Sequence, residues 1–143
     1  MAAQLPDKIH KKITNFCKNG DKLYEQGNYD AALAEYRNAL DLIPPPFNVW
    51  EASTWILTAL GDTYSSKKEY HKSHRVFTDA MTCPGAVGNP YIHLRLGESQ
   101  FELGDMDKAK DELVRAYMGA GEEIFLQEDP KYFALVRDTI DLS

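Results

Sequence analysis

The stretch that decides the fold reads GDKLYEQGNYDAA and runs from Gly20 to Ala32. It opens on a glycine and ends twelve positions later on a small residue, and the same spacing returns twice further along the chain. The three matching pairs are Gly20 with Ala32, Gly61 with Ser73, and Gly97 with Ala109. Small residues are needed where two antiparallel helices approach closely, and large residues at a shared offset fill the space between them. Those large residues are Tyr36, Phe77 and Leu113.

The first segment continues through Tyr36 and Ala39-Leu40 to Pro44, and it closely resembles the tetratricopeptide repeat. The segments that begin at Leu60-Gly61 and Leu96-Gly97 resemble the repeat more loosely. The resemblance implies an all-α fold in which three helix pairs stack as a short right-handed solenoid. A C-terminal helix is expected to cap the open end, which gives about seven helices in one domain over residues 1–143.

Turn and capping residues divide this domain into helices. Gly27 and Gly104 are expected at the turns within their pairs, where a residue without a Cβ leaves the helical region cheaply, and Lys68 stands at the corresponding place in the middle pair. Asp129 before Pro130 has the form of a helix start. We predict helices over 7–26, 29–42, 49–67, 70–82, 90–103, 106–119 and 130–140, paired as 7–42, 49–82 and 90–119 with 130–140 as the cap.

Extra residues follow the first pair. The distance from Gly20 to Gly61 is 41 residues, against about 34 in the family repeat. Prolines at 44, 45 and 46 interrupt the helical pattern, and Asn48 with Glu51 three residues later has the form of an N-cap with its reciprocal acid. We therefore expect the extra residues to lengthen the next helix by about two turns, with its start near residue 49.

The composition limits the classes of partner. With 22 acidic and 16 basic residues the formal charge is −6, which argues against a surface that binds nucleic acid or anionic membrane. Cys17 and Cys83 lack a CxxC neighbour, so they predict neither a disulfide framework nor a zinc site. Residues 1–13 carry charges and contain no apolar run of signal-peptide length. We expect a cytoplasmic protein.

The first helix of each pair lines the concave face of such a solenoid, which is the default binding surface. The resemblance implies these partner-binding residues: Asp21, Tyr24, Glu25, Trp55, Asp62, Tyr91, Arg95, Glu98, Phe101 and Glu102. Thr14, Cys17, Thr58, Ser65 and Leu94 are expected beside them. Acids attract Lys and Arg, and aromatic rings supply apolar contact area, so the predicted partner is a basic protein. The alternative is a solvated acidic face with partly buried aromatic rings.

An acidic partner fits these positions poorly. Members of the family that hold the acidic tails of heat-shock chaperones use Lys, Asn and Arg across the groove. In this chain Cys17 and Asp21 occupy the first of those positions, and Arg95 alone matches. The acids Asp21, Asp62 and Glu98 would repel an anionic tail at short range.

Catalytic and metal sites have weak support in the sequence. His71 and His74 stand three apart on a predicted helix, but no second ligand pair follows, which favours surface or packing histidines. Cys17 and His10 stand seven apart without a glycine loop to stabilise an oxyanion, which favours an inert thiol. Phosphate-binding glycine patterns are absent from the sequence. We expect no enzyme activity, no cofactor and no metal.

The last third of the chain carries a second resemblance. The stretches GNPYIHLRLG from Gly88, GEEIF from Gly121 and EDPKYF from Glu128 resemble small bacterial tetratricopeptide proteins that look like immunity proteins for polymorphic toxins. The resemblance implies a cognate toxin that is neutralised by direct binding. The alternative is a scaffold or assembly adaptor that holds a helix or extended peptide without inhibiting it. The groove, the lengthened second pair and the C-terminal helix are all candidate contact surfaces.

Overall fold

The computed structural model describes residues 4–140, and this part of the chain contains α-helices and no strand. The helices are α1 (Asp7–Glu25), α2 (Tyr29–Asp41), α3 (Glu51–Ser66), α4 (Tyr70–Ala80), α5 (Pro90–Glu102), α6 (Met106–Ala120) and α7 (Pro130–Thr139). Every bound lies within two residues of the predicted one. Within residues 4–140, none of the helices has the length and apolar character needed to cross a membrane.

Successive helices pack against each other along the chain, from α1 on α2 to α6 on α7, and α3 also contacts α5. The close approach within each pair falls where the glycine spacing predicts it. A Cβ built on Gly61 would lie 2.5 Å from Phe77 Cζ, and one on Gly20 would lie 2.6 Å from Tyr36 Cε1. A Cβ on Gly97 would lie 2.8 Å from Leu113. Three helix pairs thus form an all-α solenoid, as predicted.

Helix α7 covers the end of the third pair. Its residues Tyr132 and Val136 are buried and pack with Leu94, Leu113 and Phe125 in one apolar cluster. The Asp129 side chain accepts a hydrogen bond from the Lys131 backbone N–H at 3.0 Å, so the predicted capping acid does start the helix. A short 3-10 helix, Glu122–Phe125, brings Phe125 under α7. The open end of the apolar core is thereby sealed.

The prediction for the extra residues was wrong. Helix α3 begins at Glu51, and Asn48 does not cap it; residue 50 before it is extended and no side chain caps the first turn. The helix has 16 residues against 13 in α5, so it is longer by less than one turn. The insertion instead forms a connection with a 3-10 turn, Phe47–Val49. Trp50 Nε1 donates to the Pro44 carbonyl at 2.7 Å and Ser53 Oγ donates to the Phe47 carbonyl at 2.6 Å, so side chains anchor this connection.

The turn inside each pair uses a residue with a left-handed backbone. Gly27 has φ +77° and Gly104 has φ +86°, as their place in the repeat predicts. In the middle pair the same place is taken by Lys68, at φ +61°. A residue with a Cβ is strained in this region. Backbone hydrogen bonds close the middle turn, from the Lys68 N–H to the Ser65 carbonyl and from the Glu69 N–H to the Tyr64 carbonyl, both at 2.9 Å.

Candidate partner-binding groove

We define the groove face as the side of α1, α3 and α5 that carries the ten predicted binding residues. Hydrogen bonds between neighbouring helices join these residues into a continuous surface. Tyr24 Oη lies 2.6 Å from Ser66 Oγ, and Tyr91 Oη donates to the Asp62 carboxylate, 2.9 Å from each oxygen. The groove face is therefore one surface. Its N-terminal half, with Asp21, Glu25 and Trp55, and its C-terminal half, from Asp62 to Glu102, differ in whether their charged side chains are paired within the chain.

In the C-terminal half, one guanidinium serves three carboxylates. Arg95 Nε lies 3.1 Å from Asp62 Oδ1, and Arg95 Nη1 lies 3.0 Å from both Glu98 Oε1 and Glu128 Oε1. Glu128 comes from the loop before α7 and was not predicted. All four side chains are at least three-quarters buried, with exposed fractions between 7% for Glu98 and 23% for Arg95 and Asp62. The chain itself thus pairs most of the charge in this half.

Burial makes these carboxyls hard to ionise. Burial raises the pKa of Asp62 to about 6, although Arg95 and the Tyr91 hydroxyl oppose that rise. The pKa of Glu98 lies well above its ordinary range, first because the side chain is buried and then because it hydrogen-bonds to the Glu128 carboxyl. A neighbouring carboxylate disfavours a second negative charge, so the Glu98 carboxyl favours its protonated form.

The last two groove residues of α5 are also occupied. Glu102 Oε1 accepts a hydrogen bond from Tyr132 Oη at 2.8 Å and lies 2.5 Å from Lys131 Nζ. The same ammonium group stands 5.5 Å from the centre of the Phe101 ring and 5.3 Å from that of Tyr132. Burial alone would raise the pKa of Glu102, but the hydrogen bonds from Lys131 and Tyr132 lower it below its ordinary value. A lysine of the chain itself therefore occupies an acidic, aromatic site on the groove face.

The N-terminal half is open. Asp21 and Glu25 are exposed on α1, and neither has a Lys or Arg within 4.0 Å among residues 4–140. Asp21 Oδ1 accepts a hydrogen bond from Tyr36 Oη at 2.5 Å, which fixes the carboxylate without neutralising it. The Trp55 side chain is 39% exposed between two open cavities of about 300 Å³ and 490 Å³. Unpaired acids and an exposed indole on one face are suited to a cationic, partly apolar partner.

Three predicted groove positions are not on the solvent side. Cys17, Leu94 and Glu98 are all buried, with exposed fractions for the whole residue of 9%, 1% and 5%. Leu94 packs in the apolar cluster beneath α7, because α7 covers this end of the groove. Burial raises the pKa of Cys17 to about 11, so its thiol stays protonated at neutral pH. The His10 ring packs edge-on against the Trp55 ring, with 6.3 Å between the two ring centroids.

The groove residues that sequence reasoning missed are Glu128, Lys131 and Tyr132. A signal for them exists, because a further repeat of about 34 residues from Gly97 reaches residue 131. Helix α7 thus takes the place of the first helix of a fourth pair, and its first turn reaches the groove face. Within residues 4–140, no group of three or more possible metal ligands includes His71 or His74.

Comparison with known proteins supports the fold. Protein-family models and curated proteins give no match. Among solved structures, the first tetratricopeptide domain of Spaghetti (RPAP3) bound to an HSP90 peptide is 18% identical, with a TM-score of 0.72 over 90% of this chain and 94% of that one. The C-terminal tetratricopeptide-containing domain of a Plasmodium falciparum FK506-binding protein is 16% identical, with a TM-score of 0.76 over 95% and 94%.

A bacterial structure gives a similar result. PcrH from Pseudomonas aeruginosa, in complex with the chaperone-binding region of PopB, is 16% identical with a TM-score of 0.67 over 95% of this chain and 100% of that one. These likenesses assign the chain to the class of tetratricopeptide-repeat folds. Within that class it is a three-pair solenoid with a seventh, capping helix.

Proposed function

We propose that this chain is a protein-interaction module that binds a basic protein through the N-terminal half of the groove face. The observation that carries the proposal is the pairing of charges along that face. Arg95 and Glu102 are committed to contacts within the chain, whereas Asp21 and Glu25 are exposed, with no Lys or Arg within 4.0 Å among residues 4–140. Because Trp55 is exposed on the same groove face, a partner that presents Lys or Arg among apolar side chains gains both charge pairing and buried aromatic area.

The structural neighbours support protein binding as the general activity. They include complexes with an HSP90 peptide, an HSP70 peptide and a region of PopB. The HSP90 peptide SRMEEVD is acidic, and in our chain the matching cation, Arg95, already contacts three carboxylates. We therefore propose a partner of the opposite charge rather than a chaperone tail.

The finer proposal is an immunity protein that neutralises a cognate toxin in the cytoplasm. It rests on the resemblance of the last third of the sequence to small bacterial tetratricopeptide proteins of that type. A toxin that attacks nucleic acid has a basic catalytic surface, which an acidic groove can cover. The alternative is an assembly adaptor that holds a helix or extended peptide without inhibiting it.

Co-expression with the product of the adjacent gene separates these two functions. An immunity protein is expected to restore growth to cells that express a toxic neighbour and to form a stable complex with it. A stable complex with a harmless neighbour contradicts immunity and favours the adaptor.

The binding surface is tested with paired charge reversals on the same complex. We expect Asp21→Lys with Glu25→Lys to weaken binding by at least about tenfold and to slow association, because both substitutions place like charges opposite a basic partner. The matched control is Asp41→Lys with Asp79→Lys, which makes the same change in net charge at exposed positions of α2 and α4. Equal losses in the two double variants would mean that net charge, and not the groove, drives binding.

A further inference from the structure

A small polar cavity lies at the centre of the groove face, between its open and occupied halves. It has a volume of about 150 Å³, and we call it the Glu98 pocket. Besides Arg95, its walls are formed by Ser65, Ser66, Tyr70, Glu98, Glu128 and Tyr132. These residues come from the end of α3, the start of α4, α5 and the segment around the start of α7, so the pocket exists only when the whole C-terminal half is assembled.

The pocket contains an acceptor without a donor. Glu98 Oε1 receives Arg95 Nη1 at 3.0 Å, but Oε2 is buried and has no hydrogen-bond donor in the described part of the chain. The Glu98 side chain is only 7% exposed. A buried carboxylate oxygen without a donor costs free energy, so it is expected to carry a proton or to await a cation.

The charge balance points the same way. Asp62, Glu98 and Glu128 would carry three negative charges if ionised, and Arg95 supplies one positive charge. The negative charge that Arg95 leaves unbalanced favours binding of a further positive group. The guanidinium already occupies its own edge of the cluster, which leaves room for a compact donor rather than a second planar one.

We propose that the Glu98 pocket binds the ammonium group of one lysine side chain of the basic partner. The inference rests on the proposed function, and it names the group that the groove recognises. An ammonium has three hydrogen-bond donors, which suits a pocket where acceptor oxygens of Glu98, Glu128 and the serines converge. Lys131 on Glu102 shows this kind of contact within the chain, with an ammonium between a carboxylate and two aromatic rings.

Lysine binding is expected to release a proton. The raised pKa of Glu98 means that its buried carboxyl holds a proton in the free protein near neutral pH, and an arriving ammonium takes over its role, so one proton leaves to solvent as one positive charge enters. The titratable and charged groups around Glu98 come from every neighbouring element: Asp62, Tyr70, Arg95, Glu102, Glu128, Lys131 and Tyr132. Burial raises the pKa of both Tyr70 and Tyr132, so near neutral pH the phenols stay protonated and the Glu98 carboxyl is the group that titrates.

The experiment uses the full chain and a lysine probe without any partner protein. Nα-acetyl-lysine N-methylamide is titrated while side-chain carboxyl carbon shifts of Glu98 and Glu128 are followed by NMR. Nα-acetyl-norleucine N-methylamide, which lacks the amine, and the arginine analogue serve as controls. We expect saturable shifts with lysine, none with norleucine, and weaker binding with arginine. Because one proton is released, the affinity for lysine should rise by up to about tenfold per pH unit between pH 6 and pH 8.

Glu98→Gln is the decisive variant, because glutamine has the shape of the protonated acid but cannot ionise. We expect it to bind the lysine probe at least tenfold more weakly and without a pH dependence, and Glu25→Gln to bind as the unmodified chain does. Wild-type affinity in Glu98→Gln, equal shifts with norleucine, or binding independent of pH would each overturn the proposal. If the lysine probe does not bind but the Asp21 and Glu25 reversals weaken the complex, the pocket proposal is wrong and the proposed function stands. If the probe binds as expected but no basic partner is found, the pocket proposal stands and the proposed function is wrong.

Discussion

Arg95 Nε on α5 lies 3.1 Å from Asp62 Oδ1 on α3, so an ion pair joins the second helix pair to the third at the centre of the groove face. The pair is part of a cluster in which carboxylates outnumber cations. In the free protein Arg95 therefore stabilises a crowded, partly buried set of carboxyl groups. This is a different use of an arginine from that of holding an acidic ligand.

Removing Arg95 should destabilise the fold. We expect Arg95→Gln to lower the free energy of unfolding by about 2–4 kcal/mol at pH 7.5, because it leaves buried carboxylates without a cation. The loss should shrink at pH 5, where Asp62, whose pKa burial raises to about 6, carries a proton. Urea unfolding followed by circular dichroism at both pH values measures the two differences.

The control for this prediction is Arg115→Gln. Arg115 pairs with Asp111 on the same helix at 3.2 Å, but both side chains are more than half exposed. An exposed pair of this kind contributes no more than about 0.5 kcal/mol. Equal losses in the two arginine variants would show that burial of the Arg95 cluster has no energetic weight.

The close approach of α3 and α4 gives a second prediction. A Cβ at residue 61 would overlap the Phe77 ring, which is itself fully buried. We expect Gly61→Ala to lower the free energy of unfolding by about 1–2 kcal/mol, because overpacking outweighs the gain in helix propensity. Thr78→Ala on the exposed face of α4 is the control and should change it by less than about 0.5 kcal/mol. A more stable Gly61→Ala protein would mean that the helices separate without cost.

The sequence predicted packing within helix pairs better than charge pairing between them. Gly61 and Phe77 stand at a fixed offset within one pair, so their contact repeats and can be recognised from spacing alone. Whether Glu98 faces solvent depends on Glu128, thirty residues further on in a connection that has no counterpart in the other pairs. The failed N-cap at Asn48 has a similar origin, because Trp50 and Ser53 anchor the connection through backbone carbonyls that the sequence does not identify.

The left-handed turn at Lys68 gives a third prediction. Glycine relieves the strain of φ +61°, and its greater freedom in the unfolded chain offsets part of that gain. We expect Lys68→Gly to raise the free energy of unfolding by about 0.5–1 kcal/mol, measured by urea unfolding. The reciprocal change at the matching turn, Gly104→Lys, should lower it by a similar amount. A loss of stability in Lys68→Gly would indicate that the lysine side chain, rather than the backbone, sets the stability of this turn.

The raised pKa of Glu98 gives a prediction about pH. A carboxyl whose pKa is higher in the folded than in the unfolded state contributes stability at low pH, and it loses that contribution as the pH rises from its ordinary value of 4.5 through the folded one. Asp62 acts in the same direction over a narrower window, from 3.8 to about 6. Exposed acids that pair with cations act in the opposite direction, so the total pH dependence of the protein does not isolate Glu98.

A comparison of two proteins isolates this contribution. Glu98→Gln keeps the size and the hydrogen-bonding capacity of the protonated acid, and it has no charge to lose. We expect its stability relative to the unmodified chain to rise steadily between pH 5 and pH 8. Over this range the folded unmodified chain must either ionise the buried Glu98 carboxyl or keep a proton bound while the proton concentration falls, and both lower its stability. Urea unfolding of both proteins at four pH values across this range gives the difference directly. Parallel stability curves would show that Glu98 is ionised throughout, in which case Arg95 alone balances its charge.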